Sequence, residues 1–156
     1  MRVGVGVDAH ALVAGVPLVL GGVEVESARG LAGHSDGDVL AHALIDALLG
    51  AAGLGDIGSL FPSGEAEWEG ASSLDLLARA YSRVREAGFE LGNADCVLVG
   101  EEPRIAPLRA QMQARLAEAL GLEPGVVTVR ATTTDGLGFT GRGEGLGAVA
   151  VALLNR

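Results

Sequence analysis

Gly147-Ala148-Val149-Ala150-Val151-Ala152-Leu153-Leu154 is a run of eight residues with no polar side chain on either face. Successive strand residues point to opposite sides of a sheet, so an all-apolar strand needs cover on both. Helices can supply one cover. In a chain of 156 residues the other is expected from a neighbouring subunit. Further strand patterns fall near Arg2–Asp8, Pro17–Val25, Asn93–Val99 and Val126–Ala131. Helical patterns fall near Asp38–Ala52, Ser73–Ala87 and Arg104–Leu120. Their interleaving predicts one α/β domain over residues 1–156, with a sheet covered by helices. Ser72 or Ser73 suits the N-cap of the second helix, and Gly88 and Gly121 suit positions just past helix ends.

Aromatic residues are only 3% of the chain, so the core must be built from Val, Leu and Ala. The 25 glycines imply tight turns or close backbone approach. A net charge of −9 with no Lys/Arg cluster argues against nucleic-acid binding. An anionic ligand would need bound cations and backbone N–H groups to offset the repulsion. The single cysteine, Cys96, excludes an intrachain disulfide and fits a reducing compartment. No charged stretch leads into a long apolar run at the N-terminus, so no signal peptide is expected. The apolar stretch Val39–Leu54 is broken by His42 and Asp46 and is short for a bilayer. These features predict a cytoplasmic protein without membrane attachment.

Val3, Val5 and Val7 alternate as a strand does, which puts Asp8 and His10 on a shared face. His42, on the following apolar helix, can reach the same point. Two imidazoles and a carboxylate would leave zinc one open position, the arrangement of a catalytic site. The residues alone also allow Asp8 and His10 to be turn residues, and His42 a core histidine among Val39, Leu40, Ala43 and Leu44. Asp38 and Asp46 stand four residues to either side of His42, on the same helix face. Asp46 is the expected acceptor for the ring N–H not bound to metal.

His34-Ser35-Asp36-Gly37-Asp38 reads either as a polar loop capped by Ser35 or Asp36, or as an anion site at a helix N-terminus. Gly4–Ala9 and Gly143–Ala148 satisfy a relaxed dinucleotide-binding pattern, but no helix follows either, which excludes a Rossmann site. Ala131-Thr132-Thr133-Thr134-Asp135 and Gly138–Gly145 could clamp phosphate through hydroxyls, amides and Arg142. Taken alone, they fit a β-connection with turn glycines better.

Together these segments resemble the 2-C-methyl-D-erythritol 2,4-cyclodiphosphate synthase family of the non-mevalonate isoprenoid pathway. The resemblance covers essentially the whole chain. It is carried by Gly6-Val7-Asp8-Ala9-His10, His34–Asp38 through His42, Asp46-Ala47-Leu48-Leu49-Gly50, and Gly55-Asp56-Ile57-Gly58 with Leu60-Phe61-Pro62. Ala131–Thr134 and Gly138-Phe139-Thr140-Gly141-Arg142-Gly143-Glu144-Gly145 complete it. The resemblance implies a mixed sheet with helices on one face, sheets packed together in a homotrimer, and active sites between subunits. It implies zinc on Asp8, His10 and His42, and a second divalent cation, Mg²⁺ or Mn²⁺, at Asp135.

The implied substrate contacts are Asp8, Ala9 and His10; His34 and Ser35; Asp56, Ile57 and Gly58; and Phe61, Pro62, Ser63, Gly64 and Glu65. The implied cytidine pocket is Gly100, Glu101, Glu102, Pro103, Arg104, Ile105 and Ala106 with Ala131, Thr132, Thr133, Thr134 and Asp135. His34 and Thr133 match the catalytic positions. Phe139 and Arg142 match positions at the trimer axis, where the family can hold an isoprenoid diphosphate.

The implied activity is that of a phosphorus–oxygen lyase that closes a cyclodiphosphate and releases CMP. Three departures stand out. Ser63 replaces a common Asp, which weakens that substrate contact or passes it to Glu65. Asp135 replaces a common Glu, and Val7 a frequent aromatic near the axis. The same ligands would also suit a metal-dependent phosphatase or a non-catalytic metal-stapled trimer.

Overall fold

A computed structural model describes residues 1–156. Seven strands run β1 (Arg2–Ala14), β2 (Leu18–Leu20), β3 (Val23–Val25), β4 (Arg29–Leu31), β5 (Glu90–Val99), β6 (Val127–Thr132) and β7 (Gly145–Asn155). Five helices are α1 (Val39–Ala52), α2 (Ile57–Leu60), α3 (Ser73–Glu86), α4 (Arg109–Leu120) and α5 (Gly138–Gly141). The main sheet has the order β4-β1-β7-β5-β6 and is mixed, with only β5 and β6 parallel. Helix α1 lies across β1 and β7, α4 covers β6, and α3 packs on both helices.

β7 sits at the centre of this sheet, as its composition requires. Leu146, Ala148, Ala150, Ala152 and Leu154 are buried under the helices. The opposite face is open. Val3, Val5 and Val7 pair with Leu153, Val151 and Val149 across the β1–β7 ladder. There Val3, Val5 and Val7 are 60–65% exposed and Val151 41%. The single chain therefore covers one face of its most apolar strand and leaves the other bare.

The expected strand Pro17–Val25 is instead a hairpin, β2 to β3. Gly21 and Gly22 both take left-handed φ values, 57° and 73°, as a two-residue hairpin turn demands. Their N–H groups donate to the Asp38 carboxylate at 2.9 and 2.7 Å. Asp38 also accepts from Ala41 N at 3.1 Å, so it is the N-cap of α1, in place of the expected Ser35 or Asp36. One fully buried side chain thus joins the hairpin to the helix. Burial pushes its carboxyl up to about 6, against the three N–H donors that favour the charge. The helix expected over Arg104–Leu120 is α4, which begins at Arg109, after a 3₁₀ turn over Ala106–Leu108 that contains Pro107.

The closest packing in the fold is between β1 and α1. A Cβ on Gly4 would lie 2.0 Å from the Ala47 carbonyl oxygen, and one on Gly6 would lie 1.8 Å from that of Ala43. Both obstacles are backbone, so neither can rotate away. Gly6→Ala should therefore displace α1 and cost about 3 kcal/mol, the upper end for overpacking. Chemical denaturation at fixed subunit concentration would read this as a lower midpoint; an unchanged midpoint would show the contact to be yielding.

Candidate metal centre

On β1 the face that carries Gly4 and Gly6 continues to Asp8 and His10, while Ala9 points away and is exposed. On α1, His42 lies one residue before Ala43, at the helix end nearest Asp8. Three donor atoms meet there. Asp8 Oδ2 is 2.7 Å from His10 Nε2 and 3.0 Å from His42 Nδ1, and the two nitrogens are 3.2 Å apart. Tetrahedral zinc with bonds of about 2.0–2.1 Å places ligand atoms about 3.3 Å apart, so this triangle needs only slight widening to seat the ion. The donor set fits a divalent metal, and all three residues line one cleft of ≈ 180 Å³.

The other nitrogen of His42 is held from behind. Ser73 Oγ lies 2.8 Å and Ser35 Oγ 2.9 Å from His42 Nε2. The Ser73 hydroxyl donates to Asp36 Oδ1, and the Ser73 backbone N–H donates to Asp36 Oδ2 at 2.9 Å. Because Ser73 directs its proton to Asp36, its oxygen is free to accept from His42 Nε2–H. With a metal bound, that would leave the Nδ1 lone pair facing the ion. The expected acceptor Asp46 plays no part; its carboxylate takes the Ile57 N–H at 2.7 Å and fastens α2 to α1. Ser73 comes from α3, far from the His42 helix in sequence, and no local spacing could have pointed to it.

The cleft gathers Asp8, His10, His34, Ser35 and His42 with Ile57, Gly58, Phe61 and Ser63. Trp68 and Leu76 complete it, and neither was expected. A lone tryptophan in the polar stretch Glu67-Trp68-Glu69 is the signal that would have flagged the first. Asp56 caps α2 through Ser59 N. Pro62 and Gly64 are exposed beyond the lining. Glu65 is exposed, and its Oε2 accepts from the Trp68 indole at 3.2 Å.

A second cleft of ≈ 360 Å³ is lined by Gly100–Ala106, Arg109 and Ala131–Thr133. No residue lines both. Thr133 Oγ1 donates to Asp135 Oδ1 at 3.2 Å, and Asp135 holds a left-handed φ of 52°. Thr134 turns inward to Leu137 O and Thr140, away from that cleft. Phe139 is 44% exposed, and Arg142 is paired with Glu144 at 2.6 Å. His34 is exposed, its Nε2 3.5 Å from Glu65 O.

An α/β domain with an open two-histidine, one-carboxylate triad on a cleft floor has the constitution of a metal-dependent enzyme. The profile of the YgbB family matches residues 1–155. The chain is 56% identical to the 2-C-methyl-D-erythritol 2,4-cyclodiphosphate synthase of Moorella thermoacetica, over 99% of this chain and 94% of that protein. It is 54% identical to the enzyme of the same name from Symbiobacterium thermophilum, over 99% and 98%. A solved 2C-methyl-D-erythritol-2,4-cyclodiphosphate synthase in a CDP-bound form superposes with a TM-score of 0.90 at 38% identity, covering 99% of this chain and all of that one. The bifunctional IspDF of Campylobacter jejuni matches with a TM-score of 0.94 at 45% identity over 98% of this chain, which spans 42% of that longer protein. The chain belongs to the YgbB family, that of the 2-C-methyl-D-erythritol 2,4-cyclodiphosphate synthases. No helix is long and apolar enough to cross a membrane.

Removing the Ser73 hydroxyl should free the His42 ring and lower metal affinity about 10- to 100-fold, as loss of such supporting groups does elsewhere. Competition with a fluorescent chelator on Ser73→Ala tests this, and wild-type affinity would show that Ser35 alone orients the ring. Protons should also compete with the ion. Burial works to raise the Asp8 carboxyl, but hydrogen bonds and charge from His10 and His42 prevail and take it down to about 2. The hydrogen bond that His10 donates to Asp8 raises His10 above its ordinary 6.5, against desolvation.

In the metal-free protein the charged pair therefore stabilises the fold fully between pH 3.8 and 6.5, and loses that contribution as pH rises through the raised His10 value or falls through the lowered Asp8 value. Metal binding needs neutral His10, so affinity should fall as pH drops, about tenfold per pH unit from this group alone once below that value. Flat affinity between pH 8 and 5.5 would remove His10 from the ligand set.

Proposed function

We propose that this chain closes a cyclodiphosphate ring in isoprenoid precursor biosynthesis. The 2-phosphate of 4-diphosphocytidyl-2-C-methyl-D-erythritol 2-phosphate attacks the β-phosphorus. A new P–O bond forms, the bond from the β-phosphorus to the bridging oxygen breaks, and CMP leaves with that oxygen. The observation that carries this reading is the triangle of Asp8, His10 and His42 donor atoms on the cleft floor, in a chain of this family. Asp8, His10 and His42 would hold zinc and Asp135 a second divalent cation, Mg²⁺ or Mn²⁺; when bound, such ions neutralise phosphate charge and polarise phosphorus.

The nucleophile belongs to the substrate, so the protein's task is positioning and charge management. No protein thiol is poised to attack, since burial pushes the Cys96 thiol up to about 12. His34 and Ser35 stand at the mouth of the metal cleft, where they can hold the attacking phosphate. Ile57, Gly58, Phe61 and Ser63 wall the space for the methylerythritol carbons. Thr133 lines the second cleft, where its hydroxyl would steady charge on the β-phosphate as the ring closes. The cytidine would occupy that cleft along Gly100–Ala106 and Ala131–Thr133.

The two clefts share no lining residue, and the bare valine face calls for cover. Both observations support a homotrimer in which the metal cleft of one subunit meets the nucleotide cleft of the next. Phe139 and Arg142 would then approach the axis, where an isoprenoid diphosphate could bind. Incubating the metal-loaded protein with the cytidine substrate should yield CMP and a cyclic diphosphate in equal amounts, read by phosphorus NMR. A linear phosphate product would make the chain a phosphatase; no nucleotide release would leave a metal-stapled assembly.

A further inference from the structure

The wall of the metal cleft is held by an aromatic stack that ends on a charged group outside the site. Trp68, the single tryptophan, lies between α2 and α3 and packs edge-on against Phe61, ring centroids 5.0 Å apart at 73°. Its indole N–H is anchored on Glu65. The guanidinium carbon of Arg79 lies over the same ring, 5.4 Å from its centroid. Arg79 forms no ion pair with any carboxylate of the chain. It sits one turn beyond Leu76 on α3, and Leu76 lines the cleft.

Phe61 and Trp68 form a partition. On one side is the metal cleft; on the other is a cavity of ≈ 330 Å³ that also touches Arg79, Ser82 and Arg83. A partition with space behind it can be pushed back by whatever fills the cleft. The segment that carries it has one further tether, Gly70 N–H to His34 O at 2.9 Å, beside the 3.5 Å approach of His34 Nε2 to Glu65 O. Displacing Trp68 therefore displaces Glu65 and the surroundings of His34.

We propose that Arg79 is a positioning residue, a strut that holds Trp68 against the cleft through its cation–π contact and so shapes the pocket for the methylerythritol part of the substrate. The proposal rests on the ring-closing reading. Arg79→Met keeps the length and apolar stem but removes the charge; Arg79→Lys retains a cation. In metal-loaded, substrate-free protein, Arg79→Met should shift the Trp68 emission to the red and raise its acrylamide quenching about two- to five-fold, the factor a cation–π contact of this exposure supports. KM should rise by a similar factor with kcat within about twofold of wild type, because the strut shapes binding rather than the reacting centre. Arg79→Lys should restore both.

Unchanged emission and quenching in Arg79→Met would overturn the proposal. So would a shifted emission with unchanged KM, which would make the stack purely structural. The quenching arm needs no turnover. A wild type that releases no CMP would count against the ring-closing reading, while the quenching result still decides whether Arg79 holds Trp68.

Discussion

The metal triad depends on how closely α1 lies against β1. Helix and strand run antiparallel, with Gly4 beneath Ala47 and Ala51 and Gly6 beneath Ala43 and Ala47. Glycine is needed at both because a side chain there would meet the helix backbone. The next residue on the same strand face is Asp8, and the helix residue that overhangs it is His42. The 3.0 Å separation of their donor atoms therefore continues the packing that precedes it. Two residues further along the strand, His10 reaches the same point. A backbone contact thus sets a ligand geometry that flexible side chains alone would hold poorly.

The buried polar groups serve the same end. Only Asp38, His42, Ser73 and Thr140 are polar and buried, and no buried side-chain polar atom lacks a hydrogen-bond partner. Asp38 ties the β2–β3 turn to the start of α1, which sets where His42 begins. Ser73 links α3 and the Asp36 loop to the His42 ring. Thr140 donates to Thr134 Oγ1, whose own proton goes to Leu137 O, and steadies the strand-to-helix corner beside Thr133. Burying such groups costs stability unless each is paired, and here His42 lines the metal cleft while Asp38 and Ser73 fix the helix and the ring that present it. A net charge of −9 adds a second demand, since a polyanion could approach this chain only where cations or N–H groups intervene.

Much of this was legible from residue order. The apolar run in β7 announced a central strand, and the helices now seen as α1 and α3 follow from their periodicity. Asp8, His10 and His42 were readable as one cluster because strand alternation and a helix period fix which residues share a face. What failed were statements about partners across the fold. Asp46 looked like the support of His42 because helical spacing offers only neighbours on the same helix, whereas Ser73 arrives from α3. Asp36 and Ser35 looked like caps, yet Asp38 had the only carboxylate able to reach both Ala41 and the hairpin turn. The Pro17–Val25 pattern read as one strand because Gly21-Gly22 interrupts the valine and leucine alternation without adding polarity; the Gly-Gly pair was the available turn signal, and the left-handed φ values bear it out.

The bare valines and the divided clefts have a common origin in β7. Its helix-facing residues are small, mostly alanine, which lets α1 settle low enough for His42 to meet Asp8. Its other face carries Val149, Val151 and Leu153, flanked by Val3, Val5 and Val7, and nothing within the chain covers them. Covering that face by other copies of the chain, as in the proposed homotrimer, would remove several valines from water. The same contact would bring a nucleotide cleft to a metal cleft. Assembly and catalysis would then be linked by mass action, because a dissociated subunit would keep its metal ligands yet lack the surface that receives the cytidine. Burial of valines on the open face would thereby control a phosphoryl-transfer site to which none of them contributes a reacting group.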